Sequence, residues 1–408
     1  MNNAAHQHVL DALPAQALPM VCPNCGQPGG EKLYAAGGIP AHSCLLMDTA
    51  QQALDYPCGT LSLVHCDACG FVFNGQFDES LRDYSPNYEE TQHFSSHFDA
   101  FARGLAERLV DDYDIRRKRV LEIGCGKGEF LALLCELGDN RGIGIDPSAR
   151  PERLDEASAA RIEFLREYYS KQHAALECDV ICCRHTLEHI PDTRRFLSTV
   201  RDSIGSRHDT LVFFEVPDLT RVLRECAFWD VYHEHCSYFT AGSLARLFRG
   251  CGFEITDLWR DYNDQYLMLS ARPTTMPTAA CLEIEDDLEQ TRGDVEYFRT
   301  RCPAIVDEWR QTLRKLHDSG RRTVVWGAGS KCVAFFTTLG ITREVEYVVD
   351  INPFKQGKWL PGTGHQVVGP EFLKEYDPTA VVVMNPIYCR EIGKMLRDMQ
   401  LAPELIPV

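Results

Sequence analysis

Apolar and amphipathic segments alternate along residues 99–258, a pattern typical of an α/β domain. The clearest unit, residues 120–146, is an apolar strand, a turn with three closely spaced glycines, a helical stretch of leucines and a second strand. The same pattern predicts helices at 99–110 and 241–249 and strands at 179–183, 210–217 and 253–258. Strands that alternate with helices predict a mostly parallel sheet covered on both faces, with ligands at the carboxyl ends of its strands.

A Pro/Thr-rich break at residues 272–278 ends this unit. Two helices are predicted next, at 281–300 and 304–319, because Pro303 should interrupt a single helix. A second strand, glycine turn and helix then begin at 322–331, and the strand predicted at 345–349 ends at Asp350. The chain is therefore predicted to contain a second, C-terminal Rossmann-like α/β domain.

The glycine spacing indicates which ligand the first unit binds. A dinucleotide fingerprint needs its third glycine at residue 129, where this chain has glutamate. Glycines at 124, 126 and 128, with Glu122 two residues before the first, resemble the first motif of class I S-adenosylmethionine-dependent methyltransferases. The predicted cofactor-binding residues are Glu122, Gly124, Gly126, Gly128, Asp146, which can accept both ribose hydroxyls, and His185. The alternative is a glycine turn without a ligand.

Two Cys-x-x-Cys-Gly motifs predict a zinc site near the N-terminus. Cys22 and Cys25 form the first pair and Cys66 and Cys69 the second, and Cys44 and Cys58 lie between them as spare candidates. Four thiolates fill a tetrahedral zinc shell and leave no open position, so the predicted zinc is structural. The alternative is four buried cysteines without a metal.

The polar tract Tyr232, His233, Glu234 and His235 carries the candidate chemistry. A histidine here can act as a general base, Glu234 can orient an imidazole, and Tyr232 can donate to an oxyanion. Two alternatives stay open: these polar residues position the substrate or the fold, or a His-x-His pair with Glu234 binds a metal.

Composition and charge narrow the range of partners. The chain has 408 residues and a net charge of −17, which argues against a nucleic-acid partner because phosphate binding needs clustered Lys and Arg. No apolar run approaches the ~20 residues of a membrane span, and no secretory signal is recognisable, so no membrane partner is expected. The 18 scattered cysteines favour a reducing, cytoplasmic location. The sequence leaves the oligomeric state open, and a monomer is compatible with it.

The order of these motifs resembles that of bacterial sugar C-methyltransferases, which methylate a carbon of nucleotide-linked 4-keto-deoxyhexoses. The resemblance covers residues 20–408 and is most specific at 349–363. It implies His235 as the base with Tyr232 and Glu234 assisting, His189 lining the site, and a tyrosine before the first core helix, for which Tyr88 is preferred over Tyr84.

The resemblance also implies that a nucleotide-sugar binds between the methyltransferase and C-terminal units. Lys331 begins a helix and can face a phosphate, the alternative being a solvated lysine, and Asp350 and Lys355 are further substrate candidates. The chain departs from the family's pattern at residues 261–269 and at 384–386, both where substrate is expected.

The predicted organisation is a disordered N-terminus (1–20), a zinc-binding module (21–85), a class I methyltransferase domain (86–272), a linker with helices (273–320) and a C-terminal Rossmann-like domain (321–408). The predicted function is that of an enzyme of one-carbon transfer, an S-adenosylmethionine-dependent C-methyltransferase that acts through an enolate α to a ketone. The alternatives are an O- or N-methyltransferase of another small metabolite and a non-catalytic S-adenosylmethionine-binding pathway protein.

Overall fold

The structure, a computed structural model, describes residues 20–83, 87–276, 278 and 280–408. Of residues 1–20, which are predicted to be disordered, only Met20 is among the described residues. Tyr84 also lies outside the described residues. No helix in the described part of the chain is long and apolar enough to cross a membrane.

A four-stranded antiparallel sheet forms the N-terminal module. Its elements, in chain order, are β1 (Glu31–Pro40), α1 (Ala50–Leu54), β2 (Cys58–His65), β3 (Val72–Asn74) and, from far along the chain, β9 (Ser237–Tyr238). The sheet order is β1-β2-β3-β9, with Phe73 opposite Ser237. Because β9 directly follows the polar tract at 232–235, pairing with β3 fixes that tract to the module.

A seven-stranded sheet with the order β10-β11-β8-β7-β4-β5-β6 forms the centre of the protein. Its elements are α2 (Ser96–Asp112), β4 (Arg119–Ile123), α3 (Glu129–Gly138), β5 (Arg141–Ile145), α4 (Glu156–Ala159), β6 (Ile162–Leu165), β7 (Val180–Arg184), α5 (Thr193–Ile204), β8 (Leu211–Pro217), α6 (Leu219–Glu225), α7 (Ala241–Gly250), β10 (Phe253–Asp261) and β11 (Tyr266–Pro273). Strands β4 to β8 run parallel, and β10 and β11 add an antiparallel edge.

The alternation of side chains along the strands explains the two layers of helices. In β4, Val120 packs in the core beneath α2 and α3, whereas Leu121 and Ile123 pack in the core shared with α5 and α7. Both faces of the strand are apolar, as expected for a parallel sheet buried on both sides. The predicted mostly parallel sheet is therefore observed.

The C-terminal sheet is entirely parallel, with the order β14-β13-β12-β15-β16. Its elements are α8 (Leu288–Asp318), β12 (Thr323–Trp326), α9 (Ser330–Leu339), β13 (Tyr347–Val349), β14 (Gln366–Val368), α10 (Leu373–Tyr376), β15 (Ala380–Val383), α11 (Cys389–Asp398) and β16 (Glu404–Pro407). The predicted second Rossmann-like unit is thus present, and its strand before Asp350 is shorter than predicted.

The prediction of two helices separated by Pro303 is wrong, because α8 continues through that proline. An interior proline costs a helix about 3 kcal/mol. On the buried face of α8, Phe298, Cys302 and Val306 pack into the core shared with β1, and Phe298 lies 5.9 Å from Tyr34 between ring centroids. Full burial of each large apolar side chain contributes about 1.5–3 kcal/mol, so the packing outweighs the proline.

We expect Pro303→Ala to raise the free energy of unfolding by about 1–2 kcal/mol. Alanine restores the missing helical hydrogen bond, while the more flexible unfolded chain cancels part of the gain. Thermal unfolding measures the effect. Pro370→Ala is the control, because Pro370 opens a short 3-10 helix, where its missing N–H removes no helical hydrogen bond. An unchanged or lower midpoint for Pro303→Ala contradicts this explanation.

Candidate active site

A cavity of about 620 Å³ lies at the carboxyl ends of the parallel strands of two sheets, the seven-stranded sheet and the C-terminal sheet. The glycine loop after β4 and the turns after β5 and β7 form one wall, and the turns after β12, β13 and β15 form the other. Cys44 of the N-terminal module and Tyr88 of the segment before α2 also line it. Because α/β sheets bind ligands at these strand ends, this cavity is the candidate active site.

The glycine loop needs glycine for reasons of both conformation and space. Gly124 and Gly126 have φ values of +71° and +53°, where a side chain is strained. A Cβ on Gly124 would lie 1.9 Å from Thr186 Oγ1. Gly128 is absent from the cavity wall: it caps α3, and a Cβ there would lie 2.6 Å from Phe164. Gly124 and Gly126 therefore face the cavity, whereas Gly128 allows the helix to pack.

Two acids predicted to bind the cofactor lie on the cavity wall. Asp146 accepts hydrogen bonds from the Gly126 N–H (2.9 Å) and from the N–H and hydroxyl of Ser148 (2.6 and 2.7 Å). It therefore ties the glycine loop to the end of β5. Glu122 is buried, and burial raises its pKa to about 8. Its Oε2 has no hydrogen-bond partner among the described residues, so one of its lone pairs remains open to a ligand.

His185, the remaining predicted cofactor residue, is a partly buried cation. Burial lowers its pKa, but Glu215 and Glu188 outweigh that effect and raise it to about 9. Its Nε2 lies 2.8 Å from Glu215 Oε1, and its ring packs edge-on against Tyr266. The ring lines the cavity with its charge compensated by Glu215.

His235 lies in a partly buried group of polar rings on the cavity wall. Its ring centroid is 4.3 Å from that of Tyr232 and 4.7 Å from that of His189. Burial, followed by the charge of His189, lowers the pKa of His235 to about 3, so the imidazole is neutral near pH 7. A neutral imidazole has a lone pair that can accept a proton.

Glu188 is the acid nearest to these histidines, and the sequence interpretation did not single it out. It is 1% exposed, and neither carboxylate oxygen has a hydrogen-bond partner among the residues that the structure describes. Burial raises its pKa, but His185, His189 and His235 outweigh it and lower the pKa. In the sequence, the position of Glu188 between His185 and His189 could have indicated that it belongs to the site. Glu188, His189 and His235 also provide donor atoms within 4.8 Å of one another, a set that can hold a cation.

His233 faces a different part of the protein. Its ring packs 5.3 Å from Phe77 between centroids and lies where a side chain on Gly59 would be. A turn at residues 233–234 separates it from His235. The His-x-His metal pair considered from the sequence therefore does not form in this structure.

Glu234 is a buried carboxylate that several donors hold in place. Its Oε2 lies 3.0 Å from His42 Nδ1 and accepts a hydrogen bond from the Tyr88 hydroxyl (2.9 Å), and its Oε1 accepts one from the Ser43 N–H (3.1 Å). Burial raises its pKa, but His42 outweighs that effect and the pKa falls to about 2. No sequence pattern pointed to His42, which lies 192 positions away from Glu234.

The four predicted metal-binding cysteines come together. The Sγ atoms of Cys22 and Cys69 are 3.7 Å apart and those of Cys25 and Cys66 are 3.6 Å apart. Four sulfurs bound to zinc at ~2.3 Å form a tetrahedron with edges of ~3.8 Å, so the residues fit this ion. The spare candidates lie elsewhere: Cys44 contacts Ser330 at the cavity, and Cys58 is exposed.

The three predicted substrate residues line the C-terminal wall of the cavity. Lys331 forms an ion pair with buried Asp230, which also accepts a hydrogen bond from the Tyr232 hydroxyl (3.2 Å). Asp350 accepts from the Ala328 N–H (2.8 Å), and Lys355 Nζ donates to the Ala328 carbonyl (3.2 Å). Asp350 therefore holds the second glycine turn by a backbone N–H, as Asp146 holds the first. Lys355 holds the same turn by a backbone carbonyl.

The two departures from the family's pattern meet in space. Gln265 and Asn385 exchange hydrogen bonds of 3.3 and 3.0 Å between their side-chain amides. The hydroxyls of Tyr262 and Tyr388 lie 2.6 Å apart. Three of these residues line the cavity between the seven-stranded and the C-terminal sheet: Gln265, Asn385 and Tyr388.

Comparisons with known proteins agree with this architecture. A methyltransferase-domain family model matches residues 94–258, and a C-methyltransferase C-terminal domain model matches residues 268–402. The C-methyltransferase NovU of Streptomyces niveus is 26% identical over 288 residues, which are 67% of this chain and 67% of NovU. An uncharacterized protein of Haemophilus influenzae is 26% identical over 126 residues, 29% of this chain and 49% of that protein.

Solved structures of methyltransferases also align with part of the chain. One is the Burkholderia thailandensis 1,6-didemethyltoxoflavin-N1-methyltransferase with bound S-adenosylhomocysteine, which is 22% identical with a TM-score of 0.34, over 45% of this chain and 85% of that one. Another is CalO1, a methyltransferase in calicheamicin biosynthesis, which is 17% identical with a TM-score of 0.34, over 43% and 55%.

Each of the two family models matches one of the two α/β units. The first model covers the glycine loop and the histidine cluster, and the second covers the sheet on the other side of the cavity. The chain is an S-adenosylmethionine-dependent C-methyltransferase, and it resembles the sugar C-methyltransferase family.

Proposed function

We propose that this C-methyltransferase acts on a nucleotide-linked 4-keto-deoxysugar and methylates the carbon α to the ketone through an enolate. One observation carries the proposal: His235, partly buried and neutral near pH 7, lies beside Glu188, His189 and Tyr232 on the wall of the cavity that also contains the glycine loop. A base is needed because carbon has no lone pair of its own.

The chemistry has two steps in this proposal. His235 takes the α-proton of the ketone, and the electron pair of the broken C–H bond forms the enolate. The enolate carbon then attacks the sulfonium methyl group, and the carbon–sulfur bond breaks to leave S-adenosylhomocysteine. The second step depends mainly on holding carbon and methyl group in line at near-attack distance.

The surrounding residues support a proton transfer to His235. The Glu188 carboxylate would stabilise the imidazolium that forms, since Glu188 is buried and His235 partly buried, and a charge pair is stronger in a medium of lower dielectric constant than water. We assign His189 to the wall beside His235. Burial, followed by the charge of Asp230, raises the pKa of Tyr232, so its hydroxyl stays protonated. In this proposal its single hydrogen, which the structure directs to Asp230, turns to the oxyanion when the enolate forms.

Glu234 and Tyr88 act in this proposal as positioning residues. Glu234 fixes the turn that carries His235, because its carboxylate joins that turn to His42, Ser43 and Tyr88. Buried hydrogen bonds to a carboxylate hold a segment in one geometry.

Tyr88→Phe tests this positioning role. Removing the hydroxyl leaves a buried carboxylate with one donor fewer, which costs about 1.5–3 kcal/mol. We expect methyl transfer to slow by about ten- to one-hundred-fold, with S-adenosylmethionine affinity unchanged. Steady-state kinetics and calorimetric binding measure the two quantities. Tyr84→Phe is the control, and an equal or larger loss there would transfer the role to Tyr84.

The acceptor is proposed to lie between the methyltransferase and C-terminal units. The cavity extends between the two sheets, which supports this placement, and Lys331 would face a phosphate from the cavity wall. Asp350 and Lys355 would shape the turn against which the nucleotide packs. The cytoplasmic location stays a prediction.

The Cys22, Cys25, Cys66 and Cys69 cluster is proposed to hold a structural zinc ion. Its four thiolates would complete the coordination shell, so the ion would stabilise the module and take no part in methyl transfer. The spacing of the sulfur atoms supports this assignment.

The decisive experiment is transfer of an isotope-labelled methyl group from S-adenosylmethionine to a panel of nucleotide 4-keto-6-deoxysugars, read by mass spectrometry. We expect label on a carbon of at least one sugar. The panel includes the corresponding 4-hydroxy sugars as controls, which cannot form the enolate. Absence of label on every ketosugar, with the donor still bound, contradicts the proposed acceptor.

One observation favours a second candidate, an O- or N-methyltransferase of another small metabolite. The residues that depart from the family's pattern, among them Gln265 and Asn385, line the cavity where an acceptor would bind. In that case His235 would deprotonate a hydroxyl or amine. Exchange of solvent deuterium into the α-carbon of a ketosugar without methyl donor distinguishes the enolate route from this alternative.

A further inference from the structure

The segment before α2 is anchored to the cofactor loop by a buried lysine. Lys127, which is 1% exposed, donates from Nζ to the Tyr88 carbonyl (2.6 Å) and to both oxygens of Glu90 (2.8 and 3.1 Å). Glu90 Oε1 lies only 2.6 Å from the position that a Cβ on Gly126 would occupy. The Glu90 carboxylate is therefore held directly against the glycine loop.

Glu90 faces the cavity in which the methyl donor binds. About a third of its side chain, 33%, is exposed, and the residue lines the cavity. Asp146 lines the same wall, so two acids border the loop, and Lys127 is ion-paired with Glu90. S-adenosylmethionine carries positive charges on the α-ammonium and the sulfonium and a negative charge on the α-carboxylate. Its net charge is positive, and an acidic wall attracts such a ligand.

We propose that the Glu90 carboxylate binds a positively charged group of the methyl donor at the glycine loop, and is thereby a donor-positioning residue. Nothing in the class I motif at residues 122–128 includes this residue, which comes from the segment before α2. The proposal rests on the S-adenosylmethionine dependence of the enzyme and is independent of the acceptor.

Glu90 also links donor binding to pH. Burial raises its pKa to about 7, although Lys127 lowers it. The titratable groups that interact with it are Lys127, Asp146, Cys125, Cys44 and Lys355. A bound cation favours the ionised carboxylate, so the donor releases a proton on binding when the pH is near or below 7. Affinity is therefore full above pH 7 and falls below it, by up to about tenfold per pH unit.

The test is calorimetric binding of S-adenosylmethionine and S-adenosylhomocysteine to the full chain without an acceptor. We expect Glu90→Gln to weaken S-adenosylmethionine binding at pH 8 by about tenfold or more. Below pH 7 it should also abolish the proton release, which is measured in buffers of different ionisation enthalpy. Glu89→Gln is the matched control: Glu89 pairs with Arg153 and Asn352 and is absent from the cavity wall, so its loss should change affinity little.

The two ligands identify which charge is bound. Equal weakening of both indicates the α-ammonium, which both contain, and weakening of S-adenosylmethionine alone indicates the sulfonium. Unchanged binding of both overturns the proposal. The double variant Glu90→Gln/Lys127→Met excludes an indirect effect: if it regains wild-type affinity, the loss came from uncompensated Lys127 and the proposal fails. Glu90→Asp keeps the charge and serves if Glu90→Gln does not fold.

Discussion

Replacing His235 by alanine is expected to reduce methyl transfer by about a hundred- to ten-thousand-fold, the usual contribution of a general base. The variant removes an imidazole that is neutral near pH 7 and lies on the cavity wall next to Glu188. Binding of S-adenosylmethionine should persist, because no hydrogen bond among the described residues joins His235 to the glycine loop or to Asp146. Single-turnover kinetics and calorimetric binding separate the two quantities.

His233→Ala is the matched control for that experiment. His233 belongs to the same tract, but it packs against Phe77 and Gly59 and does not line the cavity. We expect it to lower thermal stability while leaving the chemical step nearly intact. Full activity of His235→Ala would remove His235 as the base. Activity that a chelator abolishes, with the cysteine cluster still loaded, would instead indicate a cation at Glu188, His189 and His235.

The pH profile provides an independent check on the base. The pKa of His235 is about 3, so its protonation should remove no activity between pH 5 and pH 8. A fall in activity below pH 7 at low S-adenosylmethionine that saturating S-adenosylmethionine restores would instead reflect protonation of Glu90, because burial raises its pKa to about 7.

Removal of the proposed zinc ion is expected to unfold the N-terminal module and, with it, to abolish activity. In zinc-finger peptides a structural zinc contributes about 10–16 kcal/mol, which matches or exceeds the ~5–15 kcal/mol by which a whole domain is stable. The module also carries His42 and Ser43, which hold Glu234, and β3, which pairs with β9. Its unfolding would therefore release the turn that carries His235.

Cys66→Ser measures this effect, by elemental analysis for zinc and by thermal unfolding. We expect one zinc ion per chain in the wild type, with loss of the metal and a large fall in the unfolding midpoint in the variant. Cys58→Ser is the control, because Cys58 lies in the same module but is exposed and outside the cluster. A metal-free preparation that is fully folded would contradict a structural zinc.

Local spacing was enough to predict the parts of the site that lie close together in sequence. The glycine loop after β4, Asp146 at the end of β5 and the two Cys-x-x-Cys motifs each depend on a short stretch of backbone whose geometry the sequence specifies directly. The α/β architecture followed from the alternation of buried strands and amphipathic helices, which is also a local property.

Local rules were wrong where packing between distant segments decided the outcome. Pro303 should have ended a helix, but contacts of α8 with the core hold one continuous helix. His233 and His235 look equivalent in the sequence, yet only His235 faces the cavity, because pairing of β9 with β3 sets the path of the tract.

The sequence by itself determined the two α/β units, the cofactor loop, the four cysteines and the tract that contains the candidate base. The tertiary structure alone decided that His42 and Tyr88 hold Glu234, that Glu90 lies on Gly126, and that Gln265 meets Asn385 across the cavity. The physical reason is that local conformation depends on neighbouring residues, whereas the pKa and the partner of a buried polar group depend on side chains that distant segments bring to it.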